Sequence, residues 1–164
     1  MTRIFHDPRL TRNLLCGLLL AVFALPLAAQ QAKPTLRGAA DGDSPQKHLI
    51  KTVYESAIYP PTAQESRRTG PYLLKIYVNE DGTDWKAMPL TKQTTVTNPM
   101  NLTIVAPDNT EGAPVSGQMK VNGDRALLLE TERMGRLLVS KGFDAAPGVQ
   151  SDSLELVLYY QLEE

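Results

Sequence analysis

Few side chains here have the types that reaction chemistry needs. The 164 residues include two histidines, His6 and His48, and one cysteine, Cys16. A structural zinc site takes about four Cys or His ligands and is excluded, and a single cysteine closes no internal disulfide. His48 has no second ligand or nucleophile near it in sequence and reads as a surface side chain. Glu80, Asp81 and Asp84 form the one acidic cluster. Its spacing does not match the alternating oxygen ligands of a calcium loop. Paired carboxylates also serve glycosidases, but this cluster sits in a turn with no apolar pocket evident. The chain has no Gly-x-Ser-x-Gly elbow, no phosphate-binding Gly-Lys-Ser/Thr loop and no His-Glu-x-x-His pair. The expectation is a protein that is not an enzyme and holds no cofactor and no metal.

Composition narrows the alternatives. Lys and Arg number 17 against 18 Asp and Glu, a net charge of −1. A nucleic-acid binder would show a clustered basic excess, so no nucleic-acid partner is expected. Hydrophobic residues are 42% and charged residues 21%, as in an ordinary globular domain. The length suits one domain.

The first 29 residues read as an address. Arg3, Arg9 and Arg12 precede an apolar run from Leu14, and Ala28-Ala29 follow Pro26. That order is a secretory signal peptide, with cleavage expected after Ala29 and a periplasmic destination. The run from residue 14 to 29 is short of the roughly 20 residues a spanning helix needs. Retained as an inner-membrane anchor, it would be the chain's only membrane association. Leu15 before Cys16, with most of the apolar run behind it, does not fit a lipidation site. Removing residues 1–29 leaves a cysteine-free chain with His48 as its one histidine.

The elements follow from spacing. Residues 30–43 lack periodicity and read as a flexible leader, ahead of one domain over 44–164. Ser44-Pro45 reads as an N-cap and first helical residue, opening an amphipathic helix over 45–57. Tyr59-Pro60-Pro61 ends it. Thr62 and Glu65 form a capping box for a short helix over 63–68, which Gly70 closes in a left-handed conformation. Tyr72 to Val78 alternates as a strand, and Asn79-Glu80-Asp81-Gly82 turns it into a second strand over 83–90. Within 91–123, Thr94–Thr97, Asn101–Val105 and Val115–Val121 read as strands of one or two extra hairpins. Asp124 caps a helix through Leu127, Leu128, Met134 and Leu138 that ends at Lys141-Gly142. Leu154 to Leu162 is the final strand. Tyr72, Leu74, Ile76 and Val78 are expected to pack with Leu156, Leu158 and that helix. The fold class is α+β: a small antiparallel β-sheet with two or three helices on one face, plus the extra hairpins.

This order resembles the C-terminal domain of the TonB energy-transducer family. Tyr59-Pro60-Pro61-Thr62-Ala63 with the later Gly70 is similar to the family's Tyr-Pro-x-x-Ala start. Ile76-Tyr77-Val78-Asn79-Glu80-Asp81-Gly82 is similar to its strand ending in Asp-Gly. Phe143 with Pro147-Gly148, then Leu154–Leu162, resembles its Phe-x-Pro segment and closing strand. The chain departs from the family in the 91–123 insertion and in lacking an aromatic-basic pair before Phe143. Its spacer is short as well, since residues 30–44 reach only about 50 Å when extended. The resemblance is therefore to an isolated exported module.

The resemblance implies a protein or peptide partner, such as a segment of an outer-membrane receptor, bound by strand addition to a sheet edge. Ser153, Glu155, Val157, Tyr159 and Gln161, on the last strand, are the candidate partner-binding residues. The other reading of that strand is a plain core strand. An exported structural or adhesion domain is the alternative function, with a hydrolase ranked last.

Overall fold

The computed structural model describes residues 33–79, 82–108, 114–146, 148 and 151–163. The expected signal peptide and the Glu80-Asp81 turn lie outside the described residues. Among the described residues, three helices and six strands follow in chain order: β1 (Thr35–Leu36), α1 (Pro45–Ser56), α2 (Pro61–Glu65), β2 (Gly70–Asn79), β3 (Gly82–Pro89), β4 (Met100–Pro107), α3 (Gly117–Lys141), β5 (Phe143–Asp144) and β6 (Ser151–Glu163). The class is α+β, as expected. Among the described residues no helix is long and apolar enough to cross a membrane.

Local chemistry sets the helix ends. Ser44 Oγ accepts from the Lys47 N–H at 3.2 Å, with Pro45 behind it, so α1 begins where the sequence places it. The capping box expected at Thr62 does not form. Pro60 stands at the N-cap of α2 without a side-chain hydrogen bond, and the helix starts at Pro61. Gly70 does not close α2 either, but opens β2. The left-handed residue is Arg67, at φ +49°. The Arg68 N–H reaches Ala63 O and the Arg67 N–H reaches Gln64 O, the two bonds of a Schellman stop.

The largest correction is at the start of α3. Val115–Val121 is not a strand, and Asp124 is not the cap. Ser116 caps the helix by accepting from the Met119 N–H, and α3 then runs 25 residues, about 37 Å. At the far end α3 stops at Lys141-Gly142 as expected, with Gly142, at φ +83°, donating its N–H to Val139 O. Thr94–Thr97 is not a strand, and Asn101–Val105 lies within β4. Residues 35–36 of the expected flexible leader form β1, which pairs with β5 and buries Leu36.

The main sheet has the order β3-β2-β6-β4. β2 runs antiparallel to both β3 and β6, whereas β4 lies parallel to β6, so the sheet is mixed. One face carries Tyr72, Leu74, Ile76, Val78, Leu102, Ile104, Leu154, Leu156, Leu158 and Tyr160. It joins Leu49, Val53, Ala63, Leu127, Met134 and Leu138 of the three helices in one core. The expected packing partners are therefore together. Tyr160 stands edge-on to Tyr59 at 5.7 Å and to Tyr72 at 5.8 Å. Tyr59 donates to Arg68 O, so the first residue of the Tyr-Pro-Pro turn ties α2 to the core. Burial pushes the hydroxyls of Tyr59 and Tyr72 up to about 12.

The other face is covered differently. β3 and β4 occupy opposite edges, so residues 90–99 must cross β2 and β6 to join them. The helices fill one face, and this strap takes the other. Beneath it Leu73 is 2% and Val157 1% exposed.

Candidate functional site

The expected docking strand lies inside the sheet. Ser153, Glu155, Val157, Tyr159 and Gln161 all belong to β6, which has β2 on one side and, from Leu156 onward, β4 on the other. β4 pairs with residues 156–163, which takes up the side that Val157, Tyr159 and Gln161 turn away from β2. Val157 is buried. A strand late in chain order is not thereby an edge strand: an earlier segment crosses the sheet and pairs with it in parallel.

Glu155 has a different task. It is 6% exposed, and its Oε1 accepts from Lys75 Nζ at 2.9 Å while Oε2 accepts from the Thr97 N–H at 2.6 Å. Lys33 Nζ donates to Asn98 O next along the strap. Burial alone would raise the Glu155 carboxyl. The hydrogen bonds from Lys75 and Thr97, with the charges of Lys75 and Lys33, outweigh it and hold the carboxyl below its usual range. Glu155 is the pin that fastens the strap.

The free edges are β3 and β4, and their hydrogen-bond phase can be read from neighbouring bonds. The Leu90 N–H donates to Pro71 O, so the even residues of β3 face β2, and Thr83, Trp85, Ala87 and Pro89 face outward. This edge is partly closed. The Trp85 N–H is taken by Asp84 Oδ1 at 2.7 Å, and Pro89 has no N–H. Asp84 of the acidic cluster thus covers an edge donor.

On β4 the Asp108 N–H donates to Glu163 O, which continues the parallel ladder. The even residues face β6, and Asn101, Thr103, Val105 and Pro107 face outward. Pro107 O accepts from Gln64 Nε2. Among the described residues nothing pairs with the outward N–H and C=O groups of Asn101, Thr103 and Val105. Their side chains are exposed, Val105 by 48%. No residue from Met100 to Pro107 is charged, whereas β2, β3 and β6 each carry charges. The alternation over Asn101–Val105 announces a strand. Nothing in it announces an edge, because edge position depends on where the strap leads.

A cleft of about 400 Å³ opens between the start of β2, the end of β3 and α3, lined by Gly70, Tyr72, Pro89, Asp124 and Leu128 among others. Two of its charges engage each other. Arg68 grips Asp124 through Nε and Nη2 at 2.6 and 2.9 Å, and Tyr72 donates to Asp124 O at 3.2 Å. The Asp124 hydrogen bond raises the Arg68 guanidinium further. This cluster joins α2 to α3. His48 is half-buried, with Nε2 3.1 Å from Arg37 O. Among the described residues no group of three or more His, Cys, Asp or Glu gathers as a metal site.

No family model, no curated protein and no solved structure matches this chain.

Proposed function

We propose that this chain is a strand-addition module that binds an extended segment of an envelope protein along the outer edge of β4. One observation carries the reading: an uncharged edge strand whose outward backbone groups at Asn101, Thr103 and Val105 have no partner among the described residues. An extended peptide laid there would gain a ladder of main-chain hydrogen bonds, with alternate side chains supplying selectivity. Thr97 of the strap, held by Glu155, leads into β4.

Kinship with the TonB C-terminal domain belongs to the same proposal. The order helix, Tyr-Pro turn, short helix, hairpin, long helix and last strand supports it. The parallel β4 departs from that pattern and moves the docking edge from the last strand to β4. In this reading residues 1–29 are the export signal and the site of action is the periplasm.

The test uses an array of overlapping envelope-protein peptides probed with the purified chain. A subset of extended peptides should be retained. Thr103→Pro removes an outward N–H that no neighbour in the sheet uses, so retention should fall at least tenfold while the circular dichroism stays native. Ala87→Pro on the β3 edge should leave retention unchanged. Equal retention by wild type and a folded Thr103→Pro protein would overturn the proposal, as would an array with no retained peptide.

A further inference from the structure

We infer that β4 is also a self-association edge, and that its first occupant is β4 of a second copy of this chain, antiparallel about a twofold axis at Thr103. This rests on the edge chemistry of the preceding reading. An edge strand left long, uncharged and unprotected is a template for pairing, and proteins that must avoid pairing blunt their edges with charges, proline or covered donors. β3 carries such devices: Asp84 on the Trp85 N–H, Lys86, and Pro89. β4 carries none between Asn101 and Val105.

The edge also selects its partner by pattern. An added strand must place polar or β-branched side chains beside Asn101, Thr103 and Val105 on the outer face. It must place apolar ones beside Leu102 and Ile104 on the helix face. Among the main-sheet strands of this chain only β4 is free of charge, and it has this alternation itself. With the axis at Thr103, that residue meets the partner's Thr103, and Asn101 meets the partner's Val105. All three outward residues then fall at hydrogen-bonded positions, giving about six backbone hydrogen bonds across the junction. Leu102 and Ile104 meet the partner's Ile104 and Leu102 in the closer, non-hydrogen-bonded pairs. A parallel arrangement would not satisfy a twofold axis, which requires the same patch on both copies. The two four-stranded sheets become one continuous sheet across the dimer.

Light scattering of the full chain on size exclusion tests this. The wild type should elute at twice the chain's mass and dissociate on dilution. Thr103→Lys places two like charges directly opposite across the axis and should weaken the dimer at least tenfold with native circular dichroism. Ala87→Lys on the β3 edge should leave the mass unchanged. Hydrogen exchange at Asn101, Thr103 and Val105 should slow as concentration rises. A wild type that stays monomeric at several hundred micromolar would overturn the inference, as would a dimer indifferent to Thr103→Lys. A monomer that still retains peptides on β4 would sink this inference alone. A β4 dimer that retains no peptide would sink only the preceding function.

Discussion

Two glycines inside α3 hold places that no larger residue fits. A Cβ at Gly123 would lie 2.0 Å from Ser66 Oγ and 2.5 Å from Arg68 Cγ, and one at Gly135 would lie 2.8 Å from the Trp85 ring. Alanine gains about 1 kcal/mol of helix propensity over glycine. Overpacking costs about 1–3 kcal/mol, and Ser66 is short and buried, so it cannot swing away. Both Gly123→Ala and Gly135→Ala should therefore lower stability in urea melts, Gly123→Ala the more; a rise in either midpoint would contradict the close approach. At Glu155 the prediction concerns pH. Its carboxyl is held below the unfolded value, so its contribution is complete above about pH 4.5 and is lost as pH falls through the folded value. Glu155→Gln should destabilise by about 1–3 kcal/mol at neutral pH, because Lys75 loses its charged partner. The gap from wild type should close as melts are taken below pH 4. A gap independent of pH would mean that the charge does not fasten the strap.

At the scale of elements, periodicity was informative wherever one face was buried. The alternation of Tyr72, Leu74, Ile76 and Val78 marks β2 and its inward face, and Leu156 and Leu158 meet them as that alternation requires. Leu156→Ala and Ile76→Ala should each cost about 2–5 kcal/mol, the range for truncating a large buried side chain. Unfolding midpoints near wild type would place these residues outside the core. The start of α3 was illegible for the converse reason. Residues 117–122 are exposed all round, so no apolar face marks their turns, and Val115, Met119 and Val121 imitate the alternation of a strand. Ser116, the residue that caps the helix, carries the signal that was there to be read. At α2 the sequence points to Gly70 as the left-handed stop; Gly70 does take a positive φ, +136°, but it opens β2, and the residue that ends the helix is Arg67, at φ +49°. Arg67 is also paired with Asp108 at 3.3 Å, a contact between segments that local sequence cannot show.

For the whole molecule, the elements could be read more fully than their arrangement. Strand existence is a local property, whereas neighbour order depends on the path of residues 90–99 across β2 and β6. That path is held by long-range contacts, the Thr97 N–H on Glu155 across 58 residues and Lys33 Nζ on Asn98 O across 65. The candidate site moves with it: β6, which carries the residues expected to dock a partner, lies between β2 and β4 from Leu156 onward, and the segment between β3 and α3 supplies the open edge. The same topology has a consequence in time. The strand at the heart of the sheet, β6, is the last of the strands to leave the ribosome. Until it arrives, β4 has no neighbour among the described strands, and β2 has only its hairpin partner β3. Pairing across such separations is slow, because loop closure comes before the contacts that reward it. A nascent chain of this design therefore keeps its main sheet incomplete until β6 emerges.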